Sequence, residues 1–255
     1  MTDVIIVVFL FILGAGVGSF VSSSQKTGRS KCSKCGRVLK WHDLVPIVSF
    51  GVLRGKCRYC SKPIKKRYPS SEILFGALFG ISYLNWPGGA IDTVLGGVSF
   101  ALWLVIATLF LSLFLSDLYY QKLPNRLILI ISLFLLVFTV LTEIVIEQKI
   151  CSEVIISHLL ALFPITVLFS FLHLISKGKI IGMGDAKLGI PIAILLTWQG
   201  SLAVLFLANI LAALIVFPAL SKKKIKPNTK IAFGPFLILA TFLVFFMMEF
   251  LMNFF

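Results

Sequence analysis

The chain has 255 residues, 58% of them apolar and only 13% charged, with a mean hydropathy of +1.02. Soluble domains carry about a quarter charged residues, so a water-exposed globular fold is excluded. Net charge is nonetheless +14, from 24 Lys and Arg against 10 Asp and Glu, so the charges have to be segregated from the apolar runs.

A run of roughly 20 apolar residues can cross a bilayer. In chain order, eight segments are candidate spans: 4–21, 72–86, 93–115, 127–142, 154–175, 188–198, 201–220 and 231–254. The second and sixth are short, and the sixth contains Pro191. Charge placement supplies an independent check, because Lys and Arg collect in cytoplasmic loops beside the spans. With eight spans, residues 25–70 (13 Lys and Arg), 117–126 (two), 176–187 (three) and 221–230 (five) face one side. That places 23 of the 24 basic residues together and leaves Lys149 opposite, with Asp3, Asp92, Glu143, Glu147, Glu153 and Glu249. The expected fold is an all-α polytopic membrane protein of about eight transmembrane helices, with both termini outside. The first span has no basic n-region and no clear small-residue cleavage site, so it reads as a span rather than a signal peptide.

Only the stretch between the first two spans is long enough to form a domain outside the bilayer. It carries Cys32-Ser33-Lys34-Cys35 and Cys57-Arg58-Tyr59-Cys60, with 21 residues between the pairs. Two such pairs have the spacing of a four-thiolate zinc site. The competing reading, two disulfides, requires an oxidising compartment, whereas the charge pattern puts this loop on the reducing side. A basic segment of this length buries little core, so metal binding would supply its folding energy. Gly36 suits a tight knuckle, His42 is a spare ligand beside a complete tetrahedron, and Cys151 is structural or incidental. The basicity itself enforces topology and meets anionic headgroups. Few aromatics suited to base stacking accompany it, chiefly Trp41, Tyr59 and Tyr68, so no nucleic-acid partner is expected. The expected division is therefore a first helix in 1–24, a cytoplasmic zinc-binding loop domain in 25–70 and a seven-helix membrane domain in 71–255.

Two aspartates carry the candidate chemistry. Asp117 ends the third span and precedes Pro124-Asn125; Asp185 follows the fifth, in Gly182-Met183-Gly184-Asp185-Ala186-Lys187. Span parity puts both at the cytoplasmic edge of the bilayer, where ionisable groups are costly and are functional candidates. Two carboxylates that meet cannot both ionise cheaply, so one keeps a proton while the other acts as a base. That pair can activate water and polarise a peptide carbonyl, which is aspartyl protease chemistry. The glycines before Asp185 are expected to permit backbone conformations closed to other residues.

These residues resemble the type IV prepilin peptidases, bifunctional membrane leader peptidases and N-methyltransferases with a GxGD aspartyl site. The resemblance runs through Gly18-Ser19-Phe20, the cysteine pairs, Trp41-His42-Asp43-Leu44-Val45-Pro46, Gly55-Lys56-Cys57-Arg58 and Arg67-Tyr68-Pro69 with Glu72. It continues through Asp117 to Asn125 and Gly182 to Lys187. It implies catalytic Asp117 and Asp185, a supporting loop of Gly182, Gly184 and Lys187, and structural zinc on Cys32, Cys35, Cys57 and Cys60. The substrates implied are prepilin or pseudopilin precursors, cut in a bacterial cytoplasmic membrane, so that the partners are these precursors and the lipid bilayer. S-adenosylmethionine is the implied methyl donor, and Glu72 and Asp43 are the carboxylates suited to the new amine. No Gly-rich nucleotide loop marks the cofactor site. The chain departs from the family pattern at Val21-Ser22-Ser23 and in the short link through Gln25 and Lys26. The alternatives are a transporter or scaffold with a cytoplasmic zinc ribbon, which would need a polar path, yet His158, His173 and Asn209 are the main mid-span polar residues. A presenilin-like GxGD protease would lack the cysteine pairs.

Overall fold

A computed structural model describes residues 2–27, 32, 35–40, 43–86, 91–146, 151–178, 181–221 and 232–247. His42, Trp41, Lys149 and most of the 221–230 loop lie outside them, as does the side chain of Cys151. The described residues are helical, without a strand, and divide into two compact units, Met1–Asn85 and Trp86–Phe255.

The first unit holds α1 (Thr2–Thr27), a short α2 (Val48–Val52) and α3 (Arg67–Leu84). Small residues let α1 and α3 approach closely, the way helices associate where no hydrophobic effect drives them. A Cβ on Gly14 would lie 2.9 Å from Phe79 Cγ, one on Gly18 would lie 3.1 Å from Glu72 Cα, and one on Gly76 would meet Phe11 at 2.9 Å. Between the helices, the 43–47 loop ends in a tight turn. Ile47 has φ 61° and ψ −50°, and the Val48 N–H bonds back to the Pro46 carbonyl. This is a γ-turn of the strained kind, on a β-branched residue that rarely takes positive φ.

The second unit runs through α4 (Val94–Tyr120), α5 (Asn125–Thr139) continuing as a π-helical turn over Val140–Ile146, and α6 (Cys151–Ala161). A π-helical segment, Phe163–Val167, leads into α7 (Leu168–Ser176), followed by α8 (Met183–Leu195), α9 (Trp198–Ser221) and α10 (Gly234–Phe246). Its core is aromatic: Trp103, fully buried, stacks on Phe245 at 3.9 Å and meets Phe242 edge-on at 6.2 Å. Rings so arranged add to the area they bury. Phe206, Leu214 and Phe217 of α9 face outward, as a bilayer permits.

Among the described residues, five helical segments are long and apolar enough to cross a membrane: 3–22, 94–120, 125–143, 152–176 and 198–221. Helices α3, α8 and α10, with 18, 13 and 13 residues, occupy the other three expected spans. The count of eight therefore reduces, on length and composition, to five such helices plus three shorter ones. Several polar side chains within the segments are satisfied locally, as lipid favours, whereas Thr166 Oγ1 and Ser201 Oγ are buried without a partner. Thr108, Ser112 and Asn209 bond carbonyls one turn back. His158 bridges Glu143 (3.1 Å) and the Ala193 carbonyl (2.9 Å), and Thr139 donates to the Ile194 carbonyl at 3.0 Å. These last two contacts cap the C-terminal end of α8.

Candidate functional site

Helix α4 is capped at its start by Thr93, whose hydroxyl accepts from the Gly96 N–H at 3.0 Å. It ends on Gln121, which turns left-handed at φ 51° and donates its N–H to the Asp117 carbonyl. Ser116 Oγ closes the corner on the Lys122 carbonyl at 2.9 Å. Only residues 121–124 then separate α4 from α5, with Pro124 extended at the N-cap. This short corner fixes Asp117 one turn from the helix end. Its carboxyl is 5% exposed, and Oδ2 lacks a hydrogen-bond partner of good geometry.

Asp185 lies in the first turn of α8, where a carboxylate complements the helix dipole. Its backbone N–H bonds the Gly182 carbonyl at 3.2 Å. The structure brings the Asp117 carboxyl and the Gly184-Asp185 start of α8 to one corner, around Leu123. Leu123 is wedged between them and their surroundings. A Cβ on Gly184 would lie 3.2 Å from Leu123 Cδ1, and one on Gly234 would lie 3.4 Å from the same atom. Lys187 Nζ donates to Asn125 Oδ1 at 3.2 Å, tying the start of α8 to the start of α5.

The reason for the glycines differs from the expected one. Gly182 has φ −74° and Gly184 is helical, so neither uses a conformation reserved for glycine. At Gly184 the value is space, since it receives Leu123, whereas a Cβ on Gly182 would make only ordinary contact with Asp185 Oδ2 at 3.6 Å. Gly234 was not legible as a site residue. The one local signal is Gly-Pro opening an apolar helix, with Pro235 inside the first turn.

In the first unit, the Sγ atoms of Cys32, Cys35, Cys57 and Cys60 all lie within 4.8 Å of one another, and Cys32 and Cys60 are 3.9 Å apart. A tetrahedral ion with sulfur at 2.3 Å spaces its ligands by about 3.8 Å, so these thiols fit such an ion. Two matching knuckles present them. Gly36 and Ser61, at φ 69° and 53°, each return an N–H to the carbonyl of Cys32 or Cys57 at 2.9 Å. At Cys60 the Lys62 backbone pulls the thiol down, but desolvation and hydrogen bonds with the other three thiols outweigh it, and the thiol rises to about 11. Crowded thiols of this kind are a donor set that a cation relieves.

Asp43 and Glu72 hold the loop between the knuckles and α3. Asp43 accepts from Arg58 Nε at 2.8 Å, Tyr59 Oη at 3.4 Å and the Lys40 N–H at 3.3 Å. Arg58 stands between two of the cysteines, so Asp43 ties the loop to the metal knuckle. Glu72 Oε2 accepts the Ile47 N–H at 2.7 Å.

Sequence comparison agrees with this division. The family described as "Bacterial Peptidase A24 N-terminal domain" matches residues 12–86, and that described as "Type IV leader peptidase family" matches residues 103–217. A Myxococcus xanthus protein named prepilin leader peptidase/N-methyltransferase is 44% identical over 81 residues, 28% of this chain and 24% of that protein. Proteins of the same name from Klebsiella pneumoniae and Vibrio cholerae are 30% and 29% identical. They cover 79% and 86% of this chain, and 90% and 81% of their own lengths. No solved structure matches the chain. On the strength of the Klebsiella relative, matched over nearly its whole length, and of both family matches, the chain belongs to the type IV leader peptidase family.

Proposed function

We propose that this protein is an intramembrane aspartyl peptidase that removes the basic leader from type IV prepilin or pseudopilin precursors. The observation that carries this reading is the placement of Asp117 and Asp185, from two helix ends distant in sequence, at one corner around Leu123. One carboxylate takes a proton from water while the other, protonated, donates to the scissile carbonyl; the proton then passes to the leaving amine. The pair titrates as a unit. Burial of Asp117 keeps bulk water from the site. A precursor helix lying in the bilayer would present its cytoplasmic end at the same depth. The basic loops support a bacterial cytoplasmic membrane location, about eight spans, both termini outside and a cytoplasmic active site.

The same chain is proposed to N-methylate the new N-terminus. Zinc on Cys32, Cys35, Cys57 and Cys60 would be structural, holding the knuckles and through Arg58 the Asp43 loop. S-adenosylmethionine would supply an electrophilic methyl group; the described residues do not define its site, and no step is assigned to it. Glu72 and Asp43 belong to this half as the residues that shape the loop.

The deciding experiment is co-expression with a pilin-like precursor. The wild type shortens the precursor, whereas Asp117→Ala and Asp185→Ala leave it full length; complete processing by both variants would end the aspartyl reading.

A further inference from the structure

The Phe233-Gly234-Pro235 junction has no side chain that signals chemistry, yet it closes the site. Three observations meet there. Asp117 Oδ2 is buried and lacks a partner of good geometry. A Cβ on Gly234 would overlap that oxygen and lie 3.3 Å from Asp117 Cγ. Gly234 does not sit at positive φ, so the requirement is for space and not for backbone freedom. The first turn of α10 also leaves this amide available. Pro235 has no N–H, and the N–H groups of Phe236 and Leu237 are spent on the Phe233 carbonyl at 3.0 and 3.2 Å. The Gly234 N–H is thus the first-turn donor not spent within α10.

Resting on the peptidase reading above, we infer that Gly234 is a positioning residue of the aspartate pair: its bare Cα lets the Asp117 carboxyl lie against the start of α10. A carboxyl held in place by packing costs no reorganisation during the reaction. The site is then built from three helix ends: the last turn of α4 and the first turns of α8 and α10.

The test uses full-length protein in detergent and combines kinetics with a thermal double-mutant cycle. A methyl group at 234 displaces the Asp117 carboxyl, and misplacement by about 1 Å costs roughly 100-fold in rate. Gly234→Ala is therefore expected to lower kcat for a synthetic prepilin roughly 100-fold, with KM within about twofold, since the substrate helix is not touched. It should also lower the melting temperature by several degrees. In an Asp117→Ala background the overlap is gone, so adding Gly234→Ala should leave the melting temperature unchanged. If Gly234→Ala alone does not accumulate, the double variant should accumulate like Asp117→Ala. Wild-type kcat in Gly234→Ala, or an equal thermal loss in both backgrounds, overturns the inference. Cleavage by Asp117→Ala would instead refute the peptidase reading, and the thermal cycle would still report on the contact.

Discussion

Glu72 is the carboxylate whose role can be decided by a pair of substitutions. Its Oε2 receives the Ile47 N–H at 2.7 Å, across 25 residues of sequence, and that N–H belongs to the residue bent into the γ-turn. A hydrogen bond to a charged group contributes about 1.5–3 kcal/mol. Holding a β-branched residue at positive φ costs of order 1–3 kcal/mol. The two nearly offset each other, so Glu72→Ala should change global stability by about 1 kcal/mol or less while releasing the turn. Amide exchange at Ile47 and Val48, followed by mass spectrometry, should accelerate about 10- to 100-fold, the equivalent of the lost bond. Glu72→Gln keeps an oxygen acceptor, worth about 0.5–1.5 kcal/mol, and should fall between. N-methylation of the mature product, read as one added methyl group, should follow the same order. Unchanged exchange in Glu72→Ala would refute the turn-holding role. Equal loss of methylation in Gln and Ala variants with the turn protected in both would show that the charge itself acts in the chemistry.

Further outcomes follow from the other sites. Changing Cys32 and Cys57 together to Ser should abolish bound zinc and lower protein level, as measured by elemental analysis of purified protein; unchanged metal content would remove the zinc assignment. Each thiol ligand must lose its proton to bind, so zinc loading should weaken as pH falls, and a pH-independent affinity would argue against thiolate ligation. Gly184→Val should slow precursor cleavage by pushing Leu123, 3.2 Å from the added Cβ, and Leu123→Ala should restore part of the rate. No recovery in the double variant would separate Gly184 from Leu123. Alkaline phosphatase fused at the C-terminus should be active, and an inactive fusion would overturn the outside placement of that end.

The cysteine quartet and both aspartates were legible because each sits in a short local pattern whose residue types are uncommon in an apolar chain. Cys-x-x-Cys pairs and a carboxylate at a span edge need no tertiary knowledge to stand out. The glycines were legible as markers but not in their reason, because the space they leave is taken by Leu123, a residue of another corner. Gly234 escaped entirely: it contributes the absence of a side chain beside Asp117, which has no sequence signature. The bond between Glu72 and Ile47 was hidden for a related cause, since a backbone donor looks the same at every position. Span existence followed from hydropathy. Span bounds did not, because α8 starts after Gly182, ahead of the apolar run 188–198, and stops at Leu196 inside it.

That short α8 has a consequence for the lipid. Thirteen residues rise about 20 Å, well below the roughly 30 Å of a typical hydrocarbon layer. Its last carbonyls are met by His158 and Thr139 rather than by water or headgroups, so the helix is finished within the protein. A bilayer relieves such mismatch by thinning locally. Water and a polar leader then travel less far to reach the carboxylates at the other end of α8. Membrane thickness becomes an input to catalysis: reconstituted in bilayers of shorter acyl chains, the protein should turn over its precursor faster.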